Sequence, residues 1–94
     1  MILNDLNQIL QDSVNAVAKD MSVQINSQLK EQINFEISTD STRGDYASSC
    51  SLKLSKLFGI TPRDLAETIK QSIKDKRIKD IKIEGPGFIN IFIS

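Results

Sequence analysis

Near the end of the chain, Phe88, Asn90 and Phe92 alternate with Ile89, Ile91 and Ile93. An extended backbone sends successive side chains to opposite faces, so aromatic, amide and aromatic share one side and isoleucines the other. A ring offers an unstacked RNA base a platform, and a carboxamide can pair with a base edge. Lys79 and Lys82, just upstream, are cations of the kind that meets phosphates. The same row would equally suit packing under a helix or a neighbouring domain, where Phe is commonplace. Asn is depleted in strands, which sets Asn90 apart from its neighbours.

Other chemistries find little to work with. The chain has no histidine, which removes His-based acid–base catalysis, Ser-His-Asp and Cys-His arrangements and the usual zinc sites. One cysteine allows no internal disulfide and no Cys-based metal cluster. No Gly-rich phosphate loop of the Walker or Rossmann kind appears. The twelve carboxylates are scattered without a pair suited to acid–base work. No catalytic, cofactor-binding or metal-binding residue is therefore expected. No apolar run approaches the roughly 20 residues of a membrane span, and no signal peptide is visible at the N-terminus. A reducing cytosol fits the cysteine usage.

Twelve basic and twelve acidic residues balance overall, but unevenly along the chain. Residues 1–42 carry six acids against Lys19 and Lys30, and residues 43–94 carry ten Lys or Arg against six acids. Most of the excess falls between Lys70 and Lys82. A nucleic-acid module working alone is usually more basic, whereas an accessory module adding a few contacts need not be. The bland alternative for this run is a solvated helix end, where cations suit the dipole.

The elements that must position these residues can be taken in order. Leu3, Leu6, Leu10, Val14, Val17 and Met21 recur at steps of three and four, predicting an amphipathic first helix. Residues 22–32 either extend it or form a separate short turn of helix. Ile33, Phe35 and Ile37 alternate with polar residues, predicting a half-buried strand. Residues 39–44 carry turn chemistry. A helix is expected after them, with Asp45 as N-cap, Ala47, Cys50, Leu54, Leu57 and Phe58 on its apolar face, and Gly59 at its C-terminal end. Cys50 then reads as core rather than as a reactive thiol. Thr61 and Pro62 start another helix, with Leu65, Ala66, Ile69 and Ile73 buried. Strands 81–84 and 88–93 close the chain as a hairpin around Gly85-Pro86-Gly87. The order is helix, strand, two helices, hairpin. It predicts an α+β, two-layer fold: a small, mostly antiparallel sheet with helices packed on one face.

Gly44-Asp45-Tyr46, then Leu52-Lys53-Leu54-Ser55-Lys56-Leu57, Pro62-Arg63-Asp64-Leu65-Ala66-Glu67, and Ile83-Glu84-Gly85-Pro86-Gly87-Phe88-Ile89-Asn90 together resemble the N-terminal additional domain of arginyl-tRNA synthetases. The likeness runs from about Phe35 to Ser94, and the first helix fits it by position. It implies that residues 1–94 form one domain of a larger class I ligase. In that family this domain contacts the D-loop of arginine tRNA through the aromatic residue after the Gly-Pro-Gly turn and the amide two positions later. Here those are Phe88 and Asn90. The implied tRNA-contacting set is thus Phe88, Asn90 and Gly85 of the turn, with Lys82 and Lys79 added on charge and face alone. Gly44-Asp45-Tyr46 matches the family motif and reads as structural. The implied partners are arginine tRNA and the ligase's own catalytic domain, in a cytoplasmic, monomeric enzyme with no membrane association. ATP and arginine are substrates of such an enzyme, and its nucleotide-binding motifs lie outside this stretch. With no histidine the class I HIGH signature is absent, so the chain is not expected to charge tRNA itself. The alternative is an interdomain docking module whose Phe-bearing face meets protein and no RNA.

Overall fold

The computed structural model describes residues 2–94. Helix α1 (Ile2–Asp20) places Leu6, Leu10, Val14 and Val17 on one stripe, all buried. It stops at Ser22, which takes a left-handed φ of 58° while Val23 N–H donates back to the Ala18 carbonyl at 2.8 Å. Residues 22–32 resolve the ambiguity in favour of a separate turn, α2 (Ser27–Lys30), capped by the Asn26 side chain on Leu29 N–H.

Strand β1 (Glu36–Ile37) is shorter than the alternation predicts. Ile33 and Phe35 are buried as expected, but α1 satisfies their backbone instead of a neighbouring strand. Phe35 N–H donates to Asn7 Oδ1 at 2.7 Å, and Gln11 Nε2 donates to the Ile33 carbonyl at 3.2 Å. Ile37 is 74% exposed, because it pairs with Tyr46 at the open edge of the sheet with no helix over it.

The expected helix start at Asp45 is corrected. Tyr46–Ser48 is strand β2, and α3 (Cys50–Phe58) begins after it. Long-range pairing overrides the local cap signal: Tyr46, Ala47 and Ser48 lie opposite Ile91, Asn90 and Ile89. Asp45 serves the sheet instead, its N–H donating to the Ile91 carbonyl at 2.7 Å and its carboxylate accepting from Ile93 N–H at 2.8 Å. Gly44, at φ 153°, comes so close to β4 that an added methyl would lie 3.0 Å from the Ile91 carbonyl oxygen. Gly44-Asp45-Tyr46 is therefore a clamp that registers β2 on β4. Within α3, Cys50, Leu54 and Phe58 are buried, whereas Leu57 is turned out to solvent. Burial raises the Cys50 thiol pKa, keeping it protonated and inert.

Helix α4 (Pro62–Ser72) starts as its residues dictate, with Thr61 Oγ1 accepting from Asp64 N–H at 3.1 Å and Pro62 in the first turn. The hairpin strands β3 (Ile78–Glu84) and β4 (Phe88–Ile93) follow. The sheet is four-stranded and antiparallel, in the order β1-β2-β4-β3. Ile89 and Ile91 of β4 join residues of α1, α3 and α4 in one core, which fixes the helices to a single face. The predicted α+β two-layer fold and element order hold, with α2 and β2 as short additions.

Candidate nucleic-acid interface

The Gly85-Pro86-Gly87 turn does not stand free. Arg63 reaches back from α4, its Nη1 donating to the Gly85 carbonyl at 2.8 Å and Nη2 to the Ile83 carbonyl at 3.4 Å. Gly87, at φ 146°, lies so near Pro62 that a methyl there would come within 2.8 Å of the Pro62 carbonyl. Two sequence motifs far apart in the chain, Pro62-Arg63 and Gly85-Pro86-Gly87, are thus one device that aims Phe88.

On the face opposite the helices, register builds three cross-strand rows. Glu84 lies beside Phe88, and Asp80 beside Phe92. Between them runs Lys82, Asn90, Ala47 and Glu36, across all four strands. Phe88 is 39% exposed, a stacking surface open to solvent. It also walls a shallow pocket with Glu36, Ala47 and Ser49. Lys82 leans along the face, its Nζ 5.5 Å from the centroid of the Phe92 ring, within cation–π range.

Asn90 shares the face with Phe88 yet keeps only 6% of its surface accessible. Ala47 and Lys82 flank it, and the Gly44 backbone passes over its Cβ. Among the described residues, no side-chain hydrogen bond engages its amide, and its polar atoms are not among those fully sealed from solvent. An amide with unused donors and acceptor, next to an open ring, has the chemistry to pair with a base edge.

The remaining expected site residues separate. Gly85 is exposed in the turn and presents its backbone, with its carbonyl already engaged by Arg63. Lys79 is not in the Phe88 row. A β-bulge between Ile78 and Asp80 breaks the alternation there, and Lys79 lines a groove with Lys70 and Lys74 instead. Glu36 and Ser49 are residues of the site that sequence reading missed. The alternation around Phe35 already turned Glu36 away from the core, but without β2 nothing brought it near Phe88. Among the described residues no cluster of His, Cys, Asp or Glu could hold a metal, and no helix is long and apolar enough to cross a membrane.

A two-layer α+β fold with helices on one face and an aromatic, an amide and a lysine on the other is what geometry alone defines. The chain belongs to the family described as the arginyl tRNA synthetase N terminal domain, whose profile matches residues 4–93. Arginine–tRNA ligase of Pseudomonas fluorescens strain SBW25 is 46% identical over 61 residues, covering 64% of this chain and 11% of that protein. The Listeria monocytogenes serotype 4a ligase is 36% identical over 64 residues, covering 66% of this chain and 12% of the relative. The chain thus spans only about a tenth of the length of these relatives. The crystal structure of arginyl-tRNA synthetase from Plasmodium falciparum shares the fold, with a TM-score of 0.77, 19% identity and coverage of 99% of this chain and 16% of that one.

Proposed function

We propose that this chain is the tRNA-binding accessory domain of an arginine–tRNA ligase, contacting the D-loop at the elbow of arginine tRNA. Phe88 stacks on an unpaired D-loop base, Asn90 pairs with that base's edge, and Lys82 meets an adjacent phosphate. Gly85 leaves room at the turn for the RNA backbone to approach. The observation that carries this reading is Phe88 itself: a 39% exposed ring, aimed by Arg63 and Gly87, beside a pocket and an unengaged amide, in a member of this family. The chain supplies recognition only. Catalysis with ATP and arginine belongs to the rest of the cytoplasmic enzyme, which acts as a monomer.

The test is an NMR titration of the labelled chain with the D-arm of an arginine tRNA. Shifts should concentrate at Gly85 to Asn90 and at Lys82, and fade as salt rises. In the complete ligase, Phe88→Ala should raise KM for tRNA and leave the KM for arginine unchanged. Normal tRNA charging by that variant would refute the contact.

A second surface favours protein docking. Ile37 is 74% exposed, and with Ile2, Tyr46 and Ile93 it lines an apolar groove on the opposite side of the β1–β2 edge. That groove suits the ligase's own catalytic domain and leaves the Phe88 face to RNA.

A further inference from the structure

Outside the Phe88 face, lysines from three different elements converge on one groove. Lys70 comes from the last turn of α4, Lys74 from the connector, and Lys79 from the bulge of β3. Lys70 lies in the last turn, where it complements the helix dipole, but that field falls off within the turn and does not account for Lys79 on β3. None of the three lysines has a carboxylate ion-pair partner among the described residues. Of the two acids that share the groove, Asp75 is paired with a cation, whereas Asp80 is held only by a backbone N–H and keeps its charge. Asp75 accepts from the Arg77 guanidinium at 3.0 and 3.1 Å and from Arg77 N–H at 2.8 Å, while Asp80 accepts from Ile81 N–H at 2.8 Å. Arg77 further reaches Asp5 of α1 at 3.0 Å, which fixes the guanidinium in place beside Asp75. Three ammonium groups without an ion-pair partner thus share the groove with one uncompensated carboxylate, which leaves it net positive.

We propose that the groove of Lys70, Lys74 and Lys79 is a second RNA contact, holding backbone phosphates at the free edge of β3. It rests on the reading of this chain as a tRNA-binding module, and it adds a site that the Phe88 face does not contain. Continuity supports RNA as the occupant: Lys82, on the open face, and Lys79, in the groove, lie on one extended strand roughly 10 Å apart. That spacing is within reach of one RNA strand running from Lys82 past Asp80 to the groove. Lysines act here as mobile point charges, which suits a sequence-independent backbone contact.

The experiment measures Kd of the 94-residue chain for an arginine-tRNA transcript across a salt series, comparing three variants. The groove variant combines Lys70→Gln, Lys74→Gln and Lys79→Gln; a charge-matched control combines Lys19→Gln, Lys30→Gln and Lys56→Gln; the third is Phe88→Ala. The groove variant should lose roughly tenfold or more in affinity near physiological salt, and its slope of log Kd against log salt should fall by about 0.7–0.9 per phosphate contact removed. Its melting temperature should fall by no more than a few degrees, the loss of one dipole-complementing cation. An unchanged slope, with Phe88→Ala still weakened, overturns the groove alone. An equal fall in the control also overturns it, because overall charge would then be the cause. A reduced slope confined to the groove variant, with Phe88→Ala binding normally, supports the groove and sinks the stacking role of Phe88. No binding by the parent chain even at low salt overturns both.

Discussion

Ile89 and Ile91, on one face of β4, are wholly enclosed by the helices, whereas Phe88, one residue away, keeps 39% of its surface in solvent. The two faces are held by different means. The inner face is fixed by burial, the dominant favourable term in folding. The outer face is held from a distance, by Arg63 and the close approach of Gly87 to Pro62 at one end of β4, and by Gly44 and Asp45 at the other. Such an arrangement fixes the backbone that carries an aromatic ring without covering the ring. Asn90 tests the distinction, since register puts it on the outer face while its neighbours bury it.

The contrast breaks most sharply at Ile91, which is fully buried and pairs with Tyr46 on one side and Ile81 on the other. Ile91→Ala should cost about 2–5 kcal/mol, read by urea or thermal denaturation, because the closely packed site collapses only partly around the cavity. Gly87→Ala comes next, at about 1–3 kcal/mol for backbone strain before any adjustment against Pro62. It should also weaken RNA binding by moving the turn that carries Phe88. Phe88→Ala sharpens the comparison from the other side. Stability should fall by about 1 kcal/mol, well short of Ile91→Ala because part of the ring already stands in solvent, while tRNA affinity falls by about 1–3 kcal/mol, the usual worth of one base stacked on an aromatic ring. If Phe88→Ala destabilised the chain as Ile91→Ala does, the two faces of β4 would both be core.

What could be read from the sequence follows the range of the interactions. The hairpin was legible because its signals are local: alternation of Ile89 and Ile91 with Phe88 and Asn90, and a Gly-Pro-Gly turn between two strands. Strand β2 was not. Tyr46-Ala47-Ser48 is too short to show a period, and Asp45 carries a plausible helix-cap signal. Its strand conformation is imposed by Ile89, Asn90 and Ile91, more than forty residues on. Parity could show which way Ile37 points but not whether a helix covers it. In the site, the exposed aromatic was legible from parity, whereas the enclosure of Asn90 was not, since Ala47 comes from a strand the sequence hid and Gly44 from the loop just before it. Lys79 was chosen on charge and face, but the strand reading began only at Ile81, so neither the extension of β3 back to Ile78 nor the bulge between Ile78 and Asp80, which set Lys79 beside Lys70 and Lys74, was legible.

The smallest expected effect lies at the ion-pair cluster that joins the start of β3 to α1. Arg77 bridges Asp75 and Asp5, and the hydrogen bonds it gives Asp75 hold that carboxyl below its ordinary value near 3.8. A carboxyl whose pKa is depressed on folding stabilises the folded chain above its unfolded pKa and loses that contribution as the pH falls through the folded value. The loss should therefore begin below about pH 3.8 and be complete only at lower pH. Arg77→Gln should flatten this acid limb in a series of melting curves and change little at neutral pH, because exposed pairs are heavily screened. High salt should mimic the substitution. The same variant should leave Phe88 stacking unaffected, since Arg77 is not among the residues that form the open face. A large loss of tRNA affinity in Arg77→Gln at low salt, with the fold intact, would instead show that the Arg77 cluster, by its own charge or by the charges it holds in place, belongs to the proposed RNA surface. The distinction between a face that folds the chain and a face proposed to read RNA would then have to include the β3 edge.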